Sequence, residues 1–128
     1  MSAFLDPAWL ESWCRRVNAD REMAVIGEFF TTAFSAATER RRAILRVEHG
    51  RIVETWPKPR FDVRCVFGLR APAATWDKFL SPKPPPLYHD IFAMIMRVPE
   101  LVLEGDTLAA MQNARALHRM LSLMRQEA

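Results

Sequence analysis

Few side chains in this sequence are placed to make or break bonds. His89 and Asp90 adjoin at the head of an apolar run. A His beside an Asp can shuttle a proton or orient a water. Neighbours on a helix point about 100° apart, so adjacency alone builds no hydrogen-bonded dyad. No Ser or Cys nucleophile is spaced to use the pair, which reads as a polar helix entry or pocket mouth. Cys14 and Cys65 stand apart, with no CxxC pair and no Cys/His cluster. His49, His89 and His118 lack metal-ligand spacing, and no Gly-rich phosphate loop is present. The cysteines read as buried free thiols of a reducing compartment. The expected chemistry is therefore binding, without catalytic residues, metal or cofactor.

Charge narrows the partners. Arg40-Arg41-Arg42 is a short basic run with Arg46 and Arg51 nearby, in a chain of formal charge +3. Few aromatics interleave with the run and no nucleic-acid motif accompanies it, so no nucleic-acid partner is expected. It reads as a solvated loop that also permits transient docking on an anionic membrane surface. The start carries Asp6 and Pro7 and no basic region before an apolar run, so no leader is expected. No stretch approaches the ~20 apolar residues of a spanning helix. A soluble cytoplasmic protein follows. With 128 residues, half of them apolar and 26% charged, the chain is expected to fold as a single domain over 1–128.

The elements that would position a ligand read as follows. Asp6 caps and Pro7 opens a helix over 7–19, with Trp9, Trp13 and Val17 at helical spacing. Sheet and helices fill 28–126. Glu28 to Ala37 is a strand with Phe30, Thr32 and Phe34 on one face. Ala43 to Glu48 and Arg51 to Trp56 form a hairpin around His49-Gly50. Phe61, Val63, Cys65, Phe67 and Leu69 alternate along a strand over 61–69. After Pro72, Trp76, Phe79 and Leu80 share one side of a short helix. Ser81 to Pro86 is a stiff proline-rich connector. Leu87 to Val98 reads as a helix apolar nearly all round: Leu87, Ile91, Met94, Ile95 and Val98 form one stripe, and Tyr88, Phe92 and Met96 a second. Such a helix is buried on two sides or faces a cavity. Leu101 to Glu104 is a short strand, and Asp106 caps a last helix containing Met111. The fold class is α+β, an about five-stranded, mostly antiparallel sheet covered on one face by helices.

Several of these patterns resemble the sterol-carrier-protein type two family. Ile44 to Ile52 looks like that family's strand–acidic–Gly–strand hairpin. Phe61-Asp62-Val63 and Trp76-Asp77-Lys78-Phe79-Leu80 are similar to its next strand and first post-sheet helix. Leu101 to Asp106 resembles its closing strand and Gly-Asp turn. The likeness runs from about Phe29 to Met124. Ser81–Pro86 and the bulky Leu87–Met96 segment stand where the family has a small-residue, Gly-Lys-rich segment. The resemblance implies a tunnel between sheet and helices that accepts sterols, acyl chains or other apolar metabolites.

The candidate ligand-binding residues are Phe34, Trp76, Phe79, Leu87, Tyr88, Ile91, Phe92, Met94, Ile95 and Met111. An apolar wall with a few polar groups at its mouth is what such a ligand needs. The alternative is an interaction or scaffold module, with a protein partner or a second copy, such as an accessory factor to a lipid- or quinone-metabolising complex.

Overall fold

The computed structural model describes residues 4–60 and 62–125. Phe61, the expected start of a strand, and residue 126, the expected end of the helical region, lie outside them.

Helix α1 (Pro7–Ala19) opens where Asp6 accepts the Trp9 N–H at 2.8 Å. A short α2 (Arg21–Ile26) follows, unanticipated from periodicity because it holds under two turns. Asp20 makes it, accepting the Met23 N–H at 2.9 Å. Strands β1 (Thr32–Ala37), β2 (Arg42–Glu48), β3 (Arg51–Trp56), β4 (Phe67–Arg70) and β5 (Val102–Gly105) form one mixed sheet in the order β3-β2-β1-β4-β5. The β1–β4 pair is parallel and the other pairs are antiparallel. The β2–β3 turn puts His49 (φ 53°) and Gly50 (φ 77°) in the left-handed region. A Cβ on Gly50 would also lie 2.8 Å from Gly27 Cα, so only glycine fits.

The alternating strand expected over 61–69 is confined to Phe67–Arg70. Strands β2 and β1 lie between β3 and β4, so the connection after Trp56 crosses them and rejoins the sheet only at Val66, whose N–H donates to the Ala33 carbonyl (2.7 Å). Asp62 turns back within this crossover onto Arg60 in a two-pronged ion pair (2.8 and 3.0 Å). Phe67 and Leu69 do face the helices, whereas Val63 and Cys65 are half-buried loop residues. Two further boundaries shift. The expected Leu87–Val98 helix is α4 (Ile91–Arg97), because Asp90 caps it through the Phe92 N–H (2.9 Å) while Leu87 sits at φ 79°. The expected last helix is two, α5 (Thr107–Gln112) and α6 (Ala114–Ser122). At the break the Asn113 amide donates to the Ala109 carbonyl (2.9 Å), a local bond that competes with helix continuation.

Helix α3 (Ala73–Leu80) and the other helices cover one sheet face. Phe34, Ala36, Ala43, Leu45, Val47, Phe67 and Leu69 point into that layer. The opposite face carries ion pairs, with Glu104 held by Arg42 (3.0 Å) and Arg70 (3.4 Å), and Arg46 held by Glu48 and Glu54. The edge strand β3 is closed by Asn18 of α1, whose side-chain amide bonds both the N–H and the carbonyl of Ile52 (2.9 and 3.0 Å). Among the described residues, no helix is long and apolar enough to cross a membrane.

Candidate ligand-binding site

The site grows from the β1–β4 pair. Phe34 and Phe67 are register partners, and their rings stack at 5.2 Å. Helix α3 lays Trp76 and Phe79 over this floor, edge to face with each other at 6.1 Å. The Trp76 indole donates to the Ala37 carbonyl (2.9 Å), which fixes α3 on the end of β1. Helix α4 adds Ile91 and Met94. Phe34, Trp76, Phe79, Ile91 and Met94 each expose 1% or less, so these five side chains are closely packed on one another and their neighbours.

Tyr88, Phe92 and Ile95 are half-buried and pack on the same cluster. Eight of the ten candidate residues are therefore brought together. Leu87 and Met111 are not: they expose 39% and 47% and stand outside the cluster. Met96, from the second stripe of α4, is 80% exposed. The same core also holds Trp13, Phe30, Leu45, Phe67, Leu117 and Met120, which the stripe of α4 alone did not single out. Phe4 joins from the N-terminal segment, 4.7 Å from Trp9 and 5.1 Å from Trp76, centroid to centroid.

A polar rim fastens the α4 segment. The Arg125 guanidinium donates to the carbonyls of Phe79 (2.6 Å), Tyr88 (3.2 Å) and His89 (3.1 Å) and lies 4.3 Å over the Phe79 ring. One cation thus ties the chain's end to the exit of α3 and the approach to α4. Asp90 serves α4 as its cap, and His118 Nδ1 lies 3.9 Å from it. Burial holds the His118 pKa below its ordinary value, with the Asp90 charge opposing part of that shift. That nitrogen is buried without a hydrogen bond among the described residues.

The reactive groups are muted. Burial pushes the Cys14 thiol up to about 11 and raises Cys65 as well, so both stay protonated at neutral pH. Both are free thiols. Among the described residues no group of three His, Cys, Asp or Glu side chains could hold a metal ion. Three open grooves lie elsewhere, lined respectively around Arg40 and Lys58, along β3 beside α1, and around His49. None of these three is lined by a candidate ligand residue.

No protein-family profile matches the chain, and no curated protein matches its sequence. Solved structures do. Sterol carrier protein 2 superposes with a TM-score of 0.77 at 20% identity, over 98% of this chain and 99% of that one. A conserved hypothetical protein from Thermus thermophilus, described as a possible sterol carrier protein, gives 0.65 at 20% identity over 96% and 90%. The ubiquinone-synthesis protein UbiJ-SCP2 gives 0.62 at 12% identity over 92% and 94%. With its five-stranded mixed sheet, its one-sided helical layer and their connections in this order, the chain has the fold of sterol carrier protein 2.

Proposed function

We propose that this chain is a non-catalytic carrier that takes an apolar ligand, such as a lipid or acyl chain, between the sheet and the α3–α4 layer. One observation supports this reading above the others. Helix α4 presents apolar residues on both flanks, Ile91 and Met94 inward and Phe92 and Ile95 half-open, on a fold shared with sterol carrier protein 2. The ligand enters as α4 and its connector swing outward, and Tyr88, Phe92 and Ile95 close over it. Leaving such a side chain exposed forgoes ~1.5–3 kcal/mol relative to burial, which ligand contact would recover. The raised thiol pKa values and the capping role of Asp90 suit a binding protein rather than an enzyme. Two free thiols suit a reducing, cytoplasmic compartment.

A second reading keeps the fold and changes the occupant. The likeness to UbiJ-SCP2 supports an accessory role in which the same pocket presents a quinone-type intermediate to an enzyme complex. Native mass spectrometry of the protein from its own host, with analysis of the organic extract, tests the carrier proposal. A stoichiometric apolar adduct is expected, with reduced occupancy in Phe92→Asp, a substitution at a half-buried site whose folding is checked by thermal melting. Protein free of any adduct, and indifferent to added fatty acid, would remove the proposal. The chemical class of the adduct separates the two readings.

A further inference from the structure

Away from the interior site, the segment before α1, the β1–β2 turn and the start of the crossover enclose an open groove of about 340 Å³. It is lined by Leu5, Asp6 and Pro7, by Arg40–Arg42 and by Pro57-Lys58-Pro59, with Leu5 itself buried and the three prolines exposed. We propose that this groove is a docking site for an extended, acidic segment of a partner protein, with carboxylates against Arg40, Arg41 and Lys58 and an apolar side chain against the exposed prolines.

Charge is the first support. Of the basic residues here, Arg42 is committed to Glu104 (3.0 Å) and to the Ser35 hydroxyl (3.1 Å). Arg40, Arg41 and Lys58 have no acidic partner in an ion pair among the described residues, and Arg41 reaches only the Phe4 carbonyl at 3.4 Å. The one carboxylate of the lining, Asp6, is engaged as the α1 cap. Arg40, Arg41 and Lys58 thus leave the lining net positive, with the Asp6 carboxylate offsetting one of these charges.

Rigidity is the second. The arginine wall is held by Thr38, whose hydroxyl accepts the N–H groups of Arg40 and Arg41 (3.2 and 3.1 Å) and whose own N–H donates to the Arg41 carbonyl (2.8 Å). Prolines on both sides fix the backbone around Lys58. Walls ordered beforehand lose little entropy when a guest arrives.

Shape selects among anionic partners. A planar bilayer meets convex cations, whereas these face inward across a groove. Single-stranded nucleic acid needs aromatic platforms, and none of the nine lining residues among those described is aromatic. A concave surface of exposed prolines and net positive charge fits a carboxylate-bearing extended chain.

The test is fluorescence anisotropy of a fluorescein-labelled decapeptide of alternating Glu and Leu, against the same peptide with Gln for Glu. Saturable binding of the Glu peptide is expected, weakened at least tenfold by Arg40→Glu with Lys58→Glu. An equal charge change at exposed Arg21 and Arg115 should stay within twofold. All four positions are exposed, and matched thermal melting confirms that each variant is folded. Equal binding of the Gln peptide, no binding of the Glu peptide, or equal losses in both double variants would overturn the proposal. It is also overturned, in favour of a membrane surface, if phosphatidylglycerol vesicles capture the protein through Arg40 and Lys58 while the peptide does not bind.

Discussion

The two ends of the helical layer are built from similar apolar material and held in different ways. At the α1–α6 end, Trp13 is fully buried and its indole donates to the Met120 carbonyl (3.0 Å). Arg16 donates to the Leu123 carbonyl (2.8 Å), and Arg119 grips Asp20 with two bonds (2.7 and 3.0 Å), holding the Asp20 carboxyl below its usual range. These bonds join α1 and its C-cap to α6 and the turn after it through one fully buried indole and two half-buried arginines. At the α3–α4 end, a proline-rich connector leads into a seven-residue helix whose surplus apolar surface stays half open. There α3 is fixed by the Trp76 indole, whereas the approach to α4 is clasped by the half-buried Arg125. On the proposed carrier reading, the first end is the frame and the second is the wall that moves.

The largest expected effect tests the frame. Trp13→Ala should cost ~3–5 kcal/mol by cavity formation and a lost indole bond. Phe92→Ala, at a half-open position, should cost less than ~1.5 kcal/mol. Thermal or urea unfolding of both reads the difference, and equal losses would erase the distinction between frame and wall.

An intermediate effect tests the clasp. Arg125→Met keeps most of the side chain's packing and removes its carbonyl bonds, together worth ~1 kcal/mol at this partly exposed site. Amide exchange within 82–97 should speed about fivefold while β1 and β2 keep their protection. Uniform acceleration across the molecule would mean that Arg125 supports the whole fold instead.

The smallest effect is electrostatic. The folded pKa of His118 is depressed, so the unfolded chain takes up its proton first as pH falls through the ordinary value of 6.5. Stability should therefore decline as pH drops below about 6.5 and level off once the folded state is protonated too. His118→Gln should flatten that part of the pH–stability curve, and an unchanged slope would place the titration elsewhere.

Local signals carried much of the fold. Asp6 and Pro7 marked the start of α1, His49-Gly50 marked the β2–β3 turn, and alternation put Phe67 and Leu69 on the covered face. The errors arose where a local pattern met a non-local demand. Alternation over 61–69 could not report that two strands intervene between β3 and β4. The stripe from Leu87 could not report that Asp90 would cap the helix later. For the candidate site, periodicity picked out Ile91 and Met94 on one flank and Phe92 on the other, but not whether the space between sheet and helices is filled. That depends on Trp13, Phe34, Phe67 and Leu117 arriving from distant parts of the chain. Arg125 gave no signal at all, since its partners are backbone carbonyls 36 to 46 residues away.

The most direct test of the central claim is amide hydrogen exchange of the protein with and without saturating oleate. Added protection concentrated in residues 81–98 and in the exit of α3, with the α1–α6 frame unchanged, is the predicted result. Oleate that leaves this segment unaffected, or that protects only the outer grooves, would contradict it.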